Sequence, residues 1–169
     1  MERTAILTIF GDEAIQFRLA ALQDCRMVWE WANDPSIRQN SFSTDPISWE
    51  THVPWFTQAI NNPEGLFVIV ITDDQPIGQV RFKTENIQGV ISVSLAQAKR
   101  GFGLGSKVID MASRYLAHSR NIHLIHAYIK PDNIASIHAF KKAGYRFYQE
   151  TEVNHNPALE YILSLEQTQ

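Results

Sequence analysis

The spacing of hydrophobic and polar positions changes along the chain, and each spacing predicts an element. Residues 14–20 alternate between apolar and polar side chains and predict a strand with one buried face. Residues 21–34 carry apolar side chains at helical spacing and predict a helix that ends at Pro35. Residues 45–62 predict a second helix, which Pro54 would divide into two pieces. The N-terminal third is therefore expected to be a strand followed by two helices.

The middle of the chain contains three apolar segments that predict neighbouring strands. They cover residues 66–71, 76–84 and 89–95. The polar sequence TDDQ between the first two is typical of a hairpin turn. After the third segment come three closely spaced glycines, and the apolar positions of residues 104–115 then recur at intervals of three and four. This spacing predicts a helix directly after the glycines.

The C-terminal third continues the alternation of strands and helices. Residues 122–130 predict a strand, and residues 131–144 predict a helix that opens with Pro-Asp and stops at a glycine. Residues 145–153 and 159–165 predict two final strands. The order β-α-α-β-β-β-α-β-α-β-β indicates an α/β (α+β) fold with a mixed central sheet of about seven strands flanked by helices. No repeat or linker divides the chain, so residues 1–169 are expected to form a single domain.

Composition limits the class of protein and its compartment, but it does not indicate a reaction. Hydrophobic residues make up 44% and charged residues 20% of the 169 residues, the balance of an ordinary globular protein. The apolar runs are too short to cross a membrane and no secretory pattern is present, so a cytoplasmic chain without a membrane partner is expected. Cys25 is the single cysteine, which excludes an internal disulfide, and no residue pattern predicts a metal site.

Charge is unevenly distributed along the chain. The formal net charge is −3, which argues against nucleic acid as a partner. Between residues 99 and 146, nine Lys and Arg stand against two acids, a net +7, while six basic and sixteen acidic residues elsewhere give −10. A basic segment around a glycine-rich loop suits a small polyanionic ligand, with a solvated charged surface as the alternative.

The glycine-rich sequence RGFGLGS lies between a predicted strand and a predicted helix. Gly101, Gly103 and Gly105 would let a ligand approach the backbone, and the helix would offer free N–H groups and the positive end of its dipole. The dinucleotide pattern GxGxxG is broken by Ser106, and the P-loop order GK[S/T] is absent. An anion site of another kind is predicted, with a simple chain turn as the alternative.

Two motifs together resemble the Gcn5-related N-acetyltransferase superfamily. RGFGLG after the strand ISVSLA is similar to its R/Q-x-x-G-x-G/A motif, and PDNIASIHAFKKAGY follows about thirty residues later. The resemblance covers residues 17–165 and implies acetyl-CoA as cofactor, with its pyrophosphate over the loop. Pantetheine would lie between strands 90–95 and 124–129, which would splay apart. The implied cofactor-binding residues are Leu95, Gln97, Arg100, Gly101, Phe102, Gly103, Leu104, Gly105, Ser106, Asn133, Phe140 and Lys141.

The resemblance also implies direct attack of a neutral amine on the acetyl thioester. The amine must lose a proton, and the departing thiolate benefits from gaining one. Many family members carry a glutamate on the strand matching residues 89–95 and a tyrosine at the position of Phe140. This sequence has Ser94 on that strand and no carboxylate, so both roles are vacant or moved. The candidates for these roles are His52, His126, His138, Tyr128, Tyr145 and Tyr148. Of these, His52 near the amine and Tyr128 as proton donor to sulfur are favoured, with core packing as the alternative for each.

The segment of residues 33–56 is dense in polar and aromatic side chains. It resembles acetyltransferases that act on nucleotide-linked 4-amino-6-deoxy sugars of the pseudaminic and legionaminic acid pathways. The matching pattern, R-x-x-S-F…I…H…WF, is formed by Arg38, Ser41, Phe42, Ile47, His52, Trp55 and Phe56. The implied substrate-binding residues are Arg38, Asn40, Ser41 and Phe42.

Three functions remain open on this basis. The leading one is acetyl-CoA-dependent N-acetylation of a small-molecule amine, a nucleotide-linked amino sugar of surface glycan synthesis. Protein N-terminal acetylation of the ribosomal-protein type is the second, because the opening helix looks similar to that of such enzymes. A non-catalytic acyl-CoA-binding module is the third, because the usual glutamate and tyrosine are absent. Assembly into a homodimer is left open.

Overall fold

The computed structural model describes residues 8–101 and 103–165, which form one mixed sheet with helices on both faces. In this part of the chain the strands are β1 (Phe10–Gly11), β2 (Gln16–Leu19), β3 (Gly65–Thr72), β4 (Gln75–Glu85), β5 (Gln88–Leu95), β6 (Leu124–Ile129), β7 (Arg146–Val153) and β8 (Asn156–Ser164). The α-helices are α1 (Cys25–Ala32), α2 (Pro35–Asn40), α3 (Trp49–Asn61), α4 (Leu104–Arg120) and α5 (Ile134–Lys142). Short 3₁₀ helices cover Leu22–Asp24 and Gln97–Lys99.

The sheet has the strand order β1-β2-β3-β4-β5-β6-β8-β7. Every neighbouring pair is antiparallel except β5 and β6, which are parallel because α4 carries the chain back across the sheet. Their parallel pairing is limited to Gln88–Val90 against Leu124–His126. Beyond these pairs the two strands separate, as the family resemblance implies, and the gap opens beside the last residues of β5.

One face of the sheet, here called the α4 face, is covered by α4 and α5. Leu116 and Val108 of α4 are fully buried there against strand residues such as Val68, Val80 and Ile125. The apolar spacing of α4 explains this packing, because residues three and four apart lie on the same side of a helix. This face holds the larger hydrophobic core.

The opposite face, here called the α3 face, is apolar only at one side. Phe67, Ile69 and Ile71 of β3 pack there against Val28 of α1 and Phe56 of α3. The register then places polar side chains on the same face of β4 and β5, because residues directly opposite one another point to the same side. The α3 face is therefore aromatic at β3 and polar from β4 onward.

The structure differs from the predicted elements at three places. The sheet has eight strands instead of about seven, because the two-residue β1 pairs with β2. The short helix α2 was not predicted and begins at Pro35, whose side chain suits the first position of a helix. Helix α3 is continuous through Pro54. Proline removes only one hydrogen bond close to the first turn, and the buried His52 and Phe56 on either side hold the helix against the sheet.

Candidate active site

A cavity of about 650 Å³ lies where β5 and β6 separate, and it collects many of the predicted site residues. Its walls come from the end of β5, the glycine loop, the start of α4, α5, and α2 with the residue after it. Of the predicted cofactor residues, those lining it are Leu95, Arg100, Gly101, Gly103, Gly105, Ser106, Asn133 and Phe140. Of the predicted substrate residues, those lining it are Asn40 and Ser41.

The glycine loop takes a backbone conformation that favours glycine. Gly101 has φ +83° and Gly103, which caps α4, has φ +74°. Apart from the adjacent residues, no atom of the described chain lies within 4 Å of the place where a side chain would begin at Gly101 or Gly103, so the space beside the backbone is open. The first N–H groups of the 17-residue α4 lie directly after this loop, where a helix favours an anion. Phe102, also predicted to bind the cofactor, lies outside the described residues.

Arg100 links the glycine loop to β5 and to α2 by hydrogen bonds. Its Nε donates to the carbonyl oxygen of Leu95 at 3.0 Å, and its Nη1 donates to Oγ of Ser36 at 2.8 Å. Ser36 in turn donates its hydroxyl and its backbone N–H to Asp34, and these two hydrogen bonds are the main reason that the pKa of Asp34 is lowered. The guanidinium thus joins the end of β5 to the start of α2, on opposite walls of the cavity.

The wall formed by α5 is held by its cap and by an aromatic contact. The side chain of Asn133 accepts a hydrogen bond from the backbone N–H of Ser136, which fixes the start of the helix. Phe140 packs edge-on against Tyr145, whose hydroxyl hydrogen-bonds to Oγ of Ser113 at 2.8 Å. Burial is the main cause of the strongly raised pKa of Tyr145, so this phenol stays protonated. These contacts hold α5 in place beside the cavity.

The comparison with known protein families agrees with this geometry. A family model described as an acetyltransferase (GNAT) domain matches residues 15–146. The chain belongs to the GNAT acetyltransferase family. The match includes the glycine loop, all of α5 and helices α1 to α3. It confirms the expectation of an N-acetyltransferase that uses acetyl-CoA.

Solved GNAT structures share the fold at low sequence identity. The aminoglycoside acetyltransferase AAC(6')-Ib, in complex with ribostamycin and coenzyme A, is 18% identical with a TM-score of 0.80, and the similarity covers 89% of this chain and 93% of that one. Spermidine N-acetyltransferase from Vibrio cholerae, in complex with CoA and spermine, is 16% identical with a TM-score of 0.80, covering 90% and 96% of the chains. These similarities confirm the predicted fold class.

A curated relative is described as a transferase of a different acyl group. An octanoyltransferase from Nitrosococcus oceani is 26% identical over 141 residues, and the match covers 75% of this chain. The match spans 62% of that relative's length. In the described ranges, no helix is both long and apolar enough to span a membrane.

On the GNAT strand that commonly carries a glutamate, this chain presents a serine to the cavity. Ser94 of β5 lines the cavity, and its Oγ accepts a hydrogen bond of 3.3 Å from Nε2 of Gln79 on β4. Oε1 of Gln79 is buried and has no hydrogen-bond partner among the described residues. Ser94 and Gln79 therefore form a polar pair beside the cavity, in which Oε1 of Gln79 can still accept a hydrogen bond.

His52 lies in the interior of the α3 face and is not among the residues that line the cavity. It is 2% exposed, and its Nε2 lies 2.9 Å from the carbonyl oxygen of Cys25. Trp49, Trp55 and Phe56 surround the ring. Burial is the main cause of the lowered pKa of His52, so the imidazole is neutral near physiological pH. The structure therefore does not bring His52 together with the cofactor residues, and its contacts are those of a packed core side chain.

Tyr128 takes part in a separate polar cluster on β6 and β8. Its hydroxyl donates to Oε1 of Glu160 at 3.4 Å, and the same oxygen lies 2.7 Å from Nδ1 of His126. Gln149 donates to the other oxygen of this carboxylate at 2.7 Å. Burial, followed by the charge of Glu160, raises the pKa of Tyr128. Tyr128 does not line the cavity.

Two predicted substrate residues organise the loop after α2. Nε and Nη1 of Arg38 donate to backbone carbonyl oxygens of Ala32 and Ser43 at 2.6 and 2.8 Å, and Nη2 donates to Oγ of Ser41 at 3.1 Å. The carbonyl oxygen of Phe42 accepts a hydrogen bond from Asn156. Neither Arg38 nor Phe42 lines the cavity, although Arg38 positions Ser41, which does.

The cofactor wall also differs in detail from the sequence-based expectation. Gln97, Leu104 and Lys141 do not line the cavity. Lys142 and His138 line it instead, together with Ser36, Ile37, Val93 and Ile109. The helical spacing that places position 138 on one side of α5 with position 142 is visible in the sequence and could have identified this pair.

Proposed function

We propose that this GNAT protein transfers the acetyl group of acetyl-CoA to the amino group of a small molecule, a nucleotide-linked 4-amino-6-deoxy sugar of surface glycan synthesis. The observation that supports this most directly is the single cavity that joins the glycine loop to Asn40 and Ser41. A donor on one wall and an acceptor on the other would then meet beside Ser94 of β5. Small amines in two solved neighbours, ribostamycin and spermine, support an acceptor of this size.

The residues present fit a CoA pyrophosphate. Gly101 and Gly103 leave open space beside the backbone, and the first turn of α4 offers N–H groups to phosphate oxygens. Lys142 and His138 add basic side chains to the opposite wall. When bound, acetyl-CoA supplies the acetyl thioester. The gap between β5 and β6 provides room for the extended arm that carries this group.

The amine must reach the thioester in its neutral form. No carboxylate lines the cavity in the described part of the chain, so the structure offers no aspartate or glutamate as base there. The hydroxyl of Ser94, held by Gln79, is placed to accept a hydrogen bond from the amine and to orient its lone pair. An amine with a pKa near 8 is partly neutral at neutral pH and can release its proton through water.

The proposal is tested by the release of CoA thiol from acetyl-CoA. The acceptors are UDP-linked 4-amino-4,6-dideoxy sugars, spermidine, kanamycin and short peptides with free N-termini. We expect turnover with one or more of the UDP-linked amines and confirmation of the N-acetyl product by mass spectrometry. Turnover with peptides alone would overturn the small-molecule proposal in favour of protein N-terminal acetylation.

A further inference from the structure

A second groove, of about 1040 Å³, lies on the α3 face outside the cavity just described. It runs between the C-terminal half of α3 and strands β3, β4 and β5. Among its described lining residues are two cations, Arg81 and Lys83, and no aspartate or glutamate. Amide and hydroxyl side chains of Gln58, Asn61, Asn62, Thr57 and Ser92 also line it, together with apolar side chains that include Trp55, Leu66, Phe67 and Phe82. The groove is therefore partly apolar, and its charged side chains are both positive.

Arg81 is the unusual residue of this groove. Its Nε is buried without a hydrogen-bond partner among the described residues, and no ion pair involving Arg81 occurs in that part of the chain. The guanidinium carbon lies 4.7 Å from the ring centre of Trp55 and 5.7 Å from that of Phe67. Burial lowers the pKa of Arg81 to about 10, so the side chain is still a cation near neutral pH. The nearby His52 is neutral there and adds no second positive charge.

Arg18, on β2 of the same sheet, is an arginine with a structural role and is a useful comparison for Arg81. Its two terminal nitrogens donate to both carboxylate oxygens of Asp24, at 2.7 and 2.8 Å. Arg81 has aromatic contacts in place of such a carboxylate, and cation–π contacts offset only part of the cost of removing a guanidinium from water. A partly buried cation without a counter-ion among the described residues is the arrangement expected where a ligand supplies the anion.

The groove and the cavity are neighbours on one strand. Ser92 lines the groove and Ser94 lines the cavity, and both side chains point to the α3 face of β5 because they are two residues apart. Two residues along a strand span roughly 7 Å. One small molecule can therefore place its amino group at the cavity and a second group in the groove.

We infer that the groove around Arg81 binds the negatively charged group, a phosphate or a carboxylate, of the amine acceptor. This inference rests on the proposed acetyl transfer to a small amine and narrows its substrate class to amines that carry an anion. A polycation such as spermine would meet Arg81 and Lys83 without a counter-charge in this groove. The planar guanidinium, held against Trp55, suits paired hydrogen bonds to two oxygens of one anion.

Binding is tested by isothermal titration calorimetry in the presence of saturating CoA, which occupies the glycine loop. The probes are UDP for a phosphate and succinate for a carboxylate. We expect at least one of them to bind the wild type, and Arg81→Gln to weaken that binding about tenfold or more. Arg114→Gln, on the exposed surface of α4, is the matched control and should bind like the wild type. Failure of both probes to bind the wild type would overturn the inference.

Two further variants keep the test decisive if Arg81→Gln fails to fold. Arg81→Lys keeps the charge but loses the paired hydrogen bonds, and Lys83→Gln removes the exposed cation two residues along the strand; each should weaken the probe by about threefold or more. Wild-type affinity in both variants would contradict the inference.

Steady-state kinetics of Arg81→Gln then tests the anion site separately from the proposed acetyl transfer. For any accepted anionic amine, Arg81→Gln should raise KM more than it lowers kcat. An unchanged KM would reject the anion site and leave acetyl transfer standing. Arg81-dependent UDP binding without turnover of any UDP-linked amine would reject the proposed acceptor and leave the anion site standing.

Discussion

On the α4 face of the sheet, apolar side chains of α4 and α5 form a continuous core, whereas on the α3 face the apolar cover stops at β3 and polar groups follow. The two faces share the same strands, so β4 contributes alternate residues to packing and to chemistry, whereas β3 packs on both faces. Val80 and Phe82 of β4 belong to the core, while the alternate residues Gln79 and Arg81 point to the other face, where Gln79 bonds to Ser94 and Arg81 lines the groove. Because packing and chemistry lie on different faces, polar residues of the α3 face can be replaced without disturbing the core of the α4 face.

The largest expected effect is the loss of stability when a core side chain of the α4 face is truncated. Leu116→Ala removes a fully buried side chain of the α4 face and should lower the free energy of unfolding by about 2–5 kcal/mol. Val90→Ala removes a 37% exposed side chain of the α3 face and should cost less than about 1 kcal/mol. Urea denaturation followed by circular dichroism measures both. Equal losses would contradict the division between the two faces.

The next effect concerns the glycine loop. Gly103→Val places a β-branched residue at φ +74° and a side chain in the open space beside the backbone. We expect the affinity for CoA to fall about tenfold or more, measured by calorimetry. Ala98→Val, on the exposed 3₁₀ helix before the loop, is the control and should keep wild-type affinity. Unchanged CoA binding by Gly103→Val would remove the loop from the cofactor site.

A smaller effect compares two serines on the same side of β5. Ser94→Ala removes the hydroxyl that accepts a hydrogen bond from Gln79 and should lower kcat about 2- to 10-fold, the value of one ordinary hydrogen bond. Ser92→Ala should leave kcat close to that of the wild type, because Ser92 lies in the groove. Steady-state thiol release with the best acceptor measures both variants. The reverse order would place the amine in the groove.

The smallest effect is the pH dependence that arises from His52. Its pKa in the folded chain is lowered, mainly by burial, from an ordinary value of 6.5. The unfolded chain therefore binds more protons, and stability is lost as the pH falls from about 6.5 toward the folded-state pKa. The urea midpoint should thus drop between pH 7.5 and 5.5, and by less in His52→Gln. His155→Gln, in an exposed turn, should retain the wild-type drop.

Local patterns in the sequence predicted the parts of the fold that depend on local chemistry. The strands from residue 66 onward and the helix after the glycines follow from spacing alone, because one face of each is buried. Helix α2 escaped prediction because six residues are too few to show a period, and Asp34 and Pro35 read equally well as a turn. The two-residue β1 is likewise visible only through its pairing with β2.

The candidate site was predictable where its residues are close in sequence. The glycine loop and the start of α5 carry a recognisable motif, and both line the cavity. Arg38 and Arg81 look alike in the sequence, but Arg38 is bonded to backbone carbonyl oxygens while Arg81 lacks a partner among the described residues. Such a difference depends on which distant groups fold against each side chain. The interior position of His52 depends on α1 and α3 packing together, which the sequence pattern does not reveal.

The short contact between β5 and β6 has a consequence for how the chain responds to its cofactor. Three residue pairs join the strands β1–β5 to the strands β6–β8, so the sheet consists of two blocks with a narrow seam. A molecule seated in the gap touches both blocks and adds cross-links that the backbone lacks. At a concentration one hundred times its dissociation constant, such a ligand stabilises the fold by about 2.7 kcal/mol. The resistance of this chain to heat and proteolysis should therefore rise and fall with the supply of CoA.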